Sequence, residues 1–93
     1  MPRLIDVVAS LESADPESTI YATRPATPDS SAILAVEPES GESPEGFPYL
    51  LEVDIALEVL DIWARWREGR QPTPQEAVRA VIHYAIYDAY EPV

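Results

Sequence analysis

The sequence predicts an α+β domain in which a small antiparallel sheet of two or three strands carries three helices packed mainly on one face. Three observations support this fold class. Apolar residues recur at helical spacing near the N-terminus and twice in the second half of the chain. Two short segments rich in β-branched residues lie between these helical regions. Strands followed by helices are typical of α+β domains.

The 93 residues are expected to form a single domain, residues 1–93. A chain of this length can bury roughly 60 to 65% of the surface that its unfolded form exposes, so an independent core is feasible. The chain contains no cysteine, which excludes disulfides, thiolate zinc sites and thiol nucleophiles. Its stability must therefore come from packing.

The first predicted elements are a short helix and two strands. Residues 3–12 place Leu4, Ile5, Val8 and Leu11 on one helical face. STIYATR (18–24) and SAILAVE (31–37) are strand-like, and proline-rich turns bound them. An all-helical fold would require both segments to be helical despite their β-branched residues and the nearby prolines. We therefore favour strands.

The next segment is an acidic loop with three prolines and two glycines in EPESGESPEGFP, and we expect residues 38–48 to be mobile. YLLEV (49–53) follows as a third strand or as the first turn of the next helix, and strand is favoured. The second helix is predicted from Asp54, acting as its N-cap, to Gly69, acting as a left-handed C-cap.

The second predicted helix has an unusually broad apolar arc of roughly 200°, against about 100° for an ordinary surface helix. Such an arc indicates either the central helix or an oligomer interface. The tryptophans of DIWARWREGRQ, Trp63 and Trp66, belong to this arc and are expected to be core residues, with a stacking platform as the alternative. Arg65, Arg67 and Arg70 are expected to complement the helix end.

The third helix is predicted from Pro74 to about Ala89, with a capping box of Thr73 and Glu76. Its expected core stripe comprises Val78, Val81, Ile82, Ala85, Ile86 and Ala89. The aromatic residues His83, Tyr87 and Tyr90 should project opposite this stripe, with Tyr84 and Arg79 at its margins. Tyrosine, histidine and arginine are common in protein interfaces. This face either binds a partner or packs on the rest of the chain.

The net charge of −11 limits the range of partners. Between Arg24 and Arg65 the chain carries nine carboxylates and no basic residue. This charge argues against binding to nucleic acid or to an anionic membrane, and it would attract a basic protein; the alternative is that it only maintains solubility. The absence of a signal peptide and of a long apolar run predicts a cytoplasmic protein.

Neither a cofactor nor a metal site is predicted. His83 is the only histidine, and no carboxylate lies at helical spacing from it. Asp54, Glu58 and Asp61 stack along one helix face, which is more typical of a solvated side than of a cation site. The chain also contains no phosphate loop, nucleophile elbow or dinucleotide fingerprint. We therefore expect no enzymatic activity.

The segments LIDVVASL, STIYATRP, TPDSSAILAVEPE, YLLEVDIALEVLDIW and AVIHYAIYDAY together resemble a group of short acidic bacterial proteins of uncharacterised function. The resemblance implies no activity and no site residue. In size and acidity the chain is also similar to bacterial immunity proteins that neutralise basic nuclease toxins, although it shares no motif with them.

Three hypotheses about function follow from the sequence. The first is a non-enzymatic interaction module, of the immunity or inhibitor type, for a basic protein. The second is a structural homo-oligomer, such as a homodimer, formed through the second or third helix. The third is a small-molecule binder or enzyme that uses His83 with Trp63 and Trp66. For the first hypothesis the predicted binding residues are Glu39, Glu42, Glu45, Asp54, Glu58, Asp61, His83, Tyr84, Tyr87 and Tyr90.

Overall fold

The computed structural model describes residues 2–36 and 47–90. Within these residues the chain forms three α-helices and three strands. They are α1 (Leu4–Ala9), β1 (Ser18–Ala22), β2 (Ala32–Val36), β3 (Tyr49–Glu52), α2 (Val53–Arg65) and α3 (Pro74–Tyr87), and a 3₁₀ turn (Leu11–Ser13) follows α1. The predicted loop 38–48 lies outside the described residues, except for Phe47 and Pro48 at its end.

The three strands form one antiparallel sheet in the order β2-β1-β3. In β1, Ile20 pairs with Leu34 of β2 and Leu51 of β3, and the register shifts between Ile20 and Tyr21 on the β3 side. Side chains alternate between the two faces of a strand. The face on which the helices pack carries Ile20, Ala22, Ala32, Leu34 and Leu51, and all of these contribute to the main core. The predicted α+β class is confirmed.

The N-terminal helix α1 is tied to the start of β2. Its first amide, that of Leu4, donates to the Ser30 carbonyl at 2.7 Å, and the Ala32 amide donates to the Pro2 carbonyl at 2.9 Å. Leu4, Val7 and Val8 are buried, and so is Leu11 in the 3₁₀ turn. The helix is thus shorter than the predicted 3–12. Of its predicted apolar face, Leu4, Val8 and Leu11 are buried as expected, Ile5 is only partly buried, and Val7 is buried although it was not predicted to be.

The strand β3 passes directly into α2, so the segment 49–53 is a strand as favoured up to Glu52, whereas Val53 is the first residue of the helix. Glu52 occupies the N-cap position, with extended backbone angles, and no side chain caps the helix there. The prediction of Asp54 as N-cap is therefore wrong. Asp54 lies inside the first turn, where its Oδ1 accepts from the Ile55 amide at 2.8 Å. A carboxylate at this position still complements the positive helix end.

The helix α2 ends at Arg65, four residues before the predicted end, and a turn leads to Gly69. Gly69 does adopt the predicted left-handed conformation, with a φ of 85°, and its amide donates to the Ala64 carbonyl at 2.8 Å. Most of the broad apolar arc is buried against other parts of the same chain. Val53, Ala56, Val59, Trp63 and Ala64 are buried, because α2 contacts both the sheet and α3.

The helix α3 begins with the predicted capping box. The Thr73 side chain accepts from the Glu76 amide at 3.2 Å, and the Glu76 side chain accepts from the Thr73 amide at 3.0 Å. Val78 and Val81 of the predicted stripe are fully buried. The stripe is wrong at its C-terminal end, where Ile86 is 60% exposed and Ala89 is exposed beyond the helix. Ala77 and Ala80 are buried instead.

Candidate protein-binding surface

Three carboxylates form an exposed line along α2, and we refer to Asp54, Glu58 and Asp61 as the acidic ridge. Helix periodicity places the three side chains within about 60° of one another around the axis. Arg65 continues the line and pairs with Asp61 at 3.0 Å, with both side chains largely exposed. Three carboxylates against one guanidinium leave the ridge negative. An exposed pair of this kind adds little stability, typically below about 1 kcal/mol.

A groove lined by both apolar and polar residues borders one side of the acidic ridge. It encloses about 420 Å³ between α1 with its 3₁₀ turn, α2 and the start of α3. Val8, Leu11, Leu57, Leu60, Ala64 and Ala77 supply its apolar lining, and Glu12 and Asp61 are its acidic lining residues. The volume lies at the lower end of the range seen for ligand pockets, about 300 to 1,000 Å³. A groove of this size has room for one or two side chains of a partner.

A group of aromatic rings borders the other side of the acidic ridge, and we refer to Trp66, Tyr84 and Tyr90 as the aromatic seam. The rings of Trp66 and Tyr90 meet edge to face with centroids 5.8 Å apart, and those of Tyr84 and Tyr90 are 5.2 Å apart. Burial raises the pKa of Tyr90, and the neighbouring Glu58 carboxylate raises that pKa further. The seam therefore adjoins the ridge at Glu58.

The two tryptophans have different roles. Trp63 is 4% exposed and lies in the core, as predicted, whereas Trp66 is 49% exposed, so the core assignment is wrong for it. The guanidinium groups of Arg67 and Arg70 lie 4.1 and 4.8 Å from the centre of the Trp63 ring, at cation–π distance. Arg67 also donates to the Trp63 carbonyl at 3.1 Å.

Arg70 links the end of α2 to the start of α3. Its two terminal nitrogens donate to the two oxygens of Glu76, each at 3.0 Å. The Arg70 hydrogen bonds lower the pKa of Glu76 to about 2, with further contributions from the Thr73 backbone and side chain. The arginines of this segment thus serve the architecture, as the sequence indicated, through contacts with the Trp63 ring and through an ion pair with the start of α3 as well as through the helix end.

The predicted tyrosine face of α3 is divided between two surfaces, which corrects the expectation of a single binding face. Tyr84 and Tyr90 turn toward α2 and join the aromatic seam. His83 and Tyr87 lie on another side, with ring centroids 4.7 Å apart. Tyr90 follows the helix end at Tyr87, so helical spacing did not predict its direction.

The surface that contains His83 and Tyr87 is referred to as the α3 patch. It surrounds a shallow depression of about 320 Å³ between α3 and the segment that precedes β2. Its lining residues are Ala26, Thr27, Pro28, Arg79, Ile82, His83, Ile86 and Tyr87. None of these eight residues is a carboxylate. Ile86 and Tyr87 are 60% and 65% exposed.

The residues suggested for a small-molecule or enzymatic site are not brought together. His83 belongs to the α3 patch, Trp63 is in the core, and Trp66 is in the aromatic seam. Across residues 2–36 and 47–90, no three side chains among His, Cys, Asp and Glu are grouped so that they could hold a metal ion. Glu39, Glu42 and Glu45, predicted to bind a partner, lie outside the described residues.

The sequence did not reveal the groove. The signal that could have indicated it is the width of the apolar arc, because Leu57 and Leu60 lie on the flank that the core does not fully cover.

None of the helices in the described part of the chain is long and apolar enough to cross a membrane. No family model matches the chain, and neither a curated protein nor a solved structure does so.

Proposed function

We propose that this chain is a non-enzymatic protein-interaction module that binds a basic partner through α2. The observation that carries the proposal is the position of the acidic ridge between the groove and the aromatic seam. Relative to the ridge, Leu57 and Ala64 lie about 60 to 80° to one side of the helix, and Ile62 and Trp66 lie about 80 to 120° to the other.

This arrangement supports recognition of a partner that combines basic and apolar side chains. The ridge offers charge, which speeds encounter with a basic partner and fixes its orientation. Because surface charge alone gives little affinity, the two apolar flanks supply the area that stabilises the complex. Tryptophan and tyrosine are the residue types most often found where binding energy concentrates.

The surrounding charge supports the same proposal. With 17 acidic residues against six arginines, the chain attracts basic proteins over distances set by the ionic strength. A small acidic module that covers the working surface of a basic protein would act as an inhibitor of the immunity type. That role is proposed on size, charge and the α2 surface alone.

The experiment uses a defined probe, an amphipathic helical peptide with one arginine face and one leucine face. A matched peptide carries glutamate in place of arginine. Isothermal titration calorimetry at low salt should detect binding of the arginine peptide, with no binding of the glutamate peptide. Raising the salt from about 20 to 200 mM should weaken binding, since screening shortens the reach of the ridge.

Two variants with the same net charge distinguish the contribution of the acidic ridge to affinity from that of the net charge of the chain. The ridge variant is Asp54→Asn, Glu58→Gln and Asp61→Asn, and the control variant is Asp15→Asn, Glu17→Gln and Asp29→Asn. We expect the ridge variant to lose at least about tenfold in affinity, which is about 1.4 kcal/mol, and the control variant to lose less than about threefold. Equal losses would contradict the proposal, because only net charge would then matter.

A further inference from the structure

The groove beside α2 carries acidic charge from two separate elements. Asp61 belongs to α2, and Glu12 belongs to the 3₁₀ turn that follows α1. All six arginines of the chain lie among the described residues, and none of them lines the groove. The residues outside the described part of the chain supply carboxylates and no basic side chain. The charge of the groove is therefore acidic.

The two carboxylates differ in the ion pairs that they form. Asp61 pairs with Arg65 at 3.0 Å, and both side chains are largely exposed. The other ion pairs in the described part of the chain use different carboxylates, namely Asp6, Asp29 and Glu76. Glu12 therefore offers its carboxylate to a cation that comes from a partner.

The groove also presents aliphatic side chains to an occupant. Leu57 and Leu60 of α2 line it and are half-buried. An occupant must place apolar atoms against these leucines and a positive charge beside Glu12. Arginine does both, because its methylene groups pack on apolar surface while its guanidinium stays at the polar edge. The planar guanidinium has five N–H donors and can bind two carboxylates, and it is less strongly hydrated than the ammonium of lysine.

We propose that the groove receives one arginine side chain of the basic partner, with its methylene groups against Leu57 and Leu60 and its guanidinium bound by Glu12. Asp61 accepts from the same guanidinium while it keeps Arg65, since an ionised carboxylate has about four acceptor sites. This inference rests on the proposed function, because it names the group of the partner that enters beside the acidic ridge. It also makes Glu12, a residue outside α2, a determinant of specificity.

Small guanidinium compounds test the groove without a peptide. The methyl chemical shifts of Leu57 and Leu60 are followed while n-butylguanidinium is added to the full chain. We expect these shifts to change and approach saturation at millimolar concentrations. Guanidinium, which has no aliphatic stem, and n-butylurea, which has no charge, should cause much smaller changes. No change with n-butylguanidinium up to about 50 mM, or an equal change with n-butylurea, would overturn the proposal.

A pair of matched variants tests the role of Glu12 with the arginine and leucine peptide. Glu12→Gln neutralises a carboxylate of the groove, and Glu17→Gln neutralises an exposed carboxylate that does not line it. Calorimetry should show a loss of affinity of at least about fivefold for Glu12→Gln and of less than about twofold for Glu17→Gln. Equal losses would overturn the proposal and leave the proposed function in place, because that function is tested by the acidic ridge variant. Circular dichroism spectra verify that both variants fold.

Intermolecular nuclear Overhauser effects identify the side chain that occupies the groove. We expect the methyl groups of Leu57 and Leu60 to show such contacts with the methylene protons of a peptide arginine. Contacts with the methyl groups of the peptide leucines would overturn the proposal, while the proposed function would still stand. A peptide that does not bind at all would contradict both.

Discussion

Trp63 and Trp66 lie three residues apart in the sequence but have different environments. Trp63 is the central aromatic residue of a smaller core cluster with Val59, Ala64 and Ala80. Trp66 stands at the C-cap of α2, past the last α-helical residue, where the chain begins to turn away. Both belong to the same apolar arc by helical periodicity, so the sequence predicted one environment for both. The end of the helix separates them.

We expect alanine substitution to distinguish the two tryptophans. Trp63→Ala removes a buried ring and should lower the free energy of unfolding by about 3 to 5 kcal/mol. Trp66→Ala removes a half-exposed ring and one edge contact with Tyr90, and it should cost about 1 kcal/mol. Urea unfolding followed by circular dichroism provides the values. Equal losses would show that Trp66 is also part of the core.

The other wrong predictions for single residues have a similar origin. Asp54 has the side chain of a good N-cap, but β3 ends at Glu52 and α2 begins at Val53, so the N-cap position falls on Glu52, two residues earlier. Ile86 has the spacing of a core residue, but α3 extends beyond the elements that cover it. Where an element stops being covered depends on its neighbours in space, which local patterns do not encode.

Among the elements, the start of α3 was the most predictable, because all of its signals are local. Thr73, Pro74 and Glu76 lie within four residues and contact one another in the expected way. The structure adds a further partner, since Arg70, in the segment between α2 and α3, binds the same Glu76 carboxylate. The capping box therefore also holds the segment between the two helices to the start of α3.

The lowered pKa of Glu76 predicts a dependence of stability on pH. Its folded-state pKa is about 2 against an ordinary value of 4.5, so the group stabilises the fold above pH 4.5. That contribution is lost as the pH falls from 4.5 toward 2. Glu76→Gln should unfold more easily than the unsubstituted chain at pH 6, and the difference should shrink as the pH falls through this range.

The measurement is the urea midpoint at a series of pH values between 6 and 2. The control is Glu17→Gln, which neutralises an exposed carboxylate outside the helices. Its difference from the unsubstituted chain should not follow the same pH profile. A Glu76→Gln difference that stays constant down to pH 2 would mean that the Arg70 pair does not stabilise the charged form.

We also expect the N-cap of α3 to contribute to the stability of the fold. Thr73→Ala removes the side chain that accepts from the Glu76 amide, and loss of such an N-cap costs about 1 to 2 kcal/mol. Thr23→Ala, an exposed threonine at the end of β1, serves as the control. If chemical denaturation shows no difference between the two variants, the helix start does not depend on its cap.

At the scale of the whole molecule, charge is the dominant feature. A net charge of −11 on a body with a radius of gyration of 12.6 Å places like charges within about two Debye lengths of one another at physiological salt. Self-repulsion of this kind destabilises the compact state. We expect the melting temperature to rise between about 10 and 150 mM salt. A melting temperature that does not change with salt would show that the arginines already compensate the nearby carboxylates.

The fold class was predictable from the sequence, but the proposed binding surface around α2 was not. The order of elements and their apolar faces follow from periodicity and turn residues within each segment. The groove and the aromatic seam each combine residues from segments distant in sequence, such as Leu11 with Leu60 and Trp66 with Tyr90. They form because the 3₁₀ turn after α1 and the helix α3 both pack against α2.

The most direct test of the central claim is a chemical-shift map of the chain with the arginine and leucine peptide. We expect the largest amide shifts to cluster on the acidic ridge, the groove and the aromatic seam, and Trp66 to shift more than Trp63. Shifts spread evenly over the acidic surface, or concentrated away from α2, would contradict the central claim.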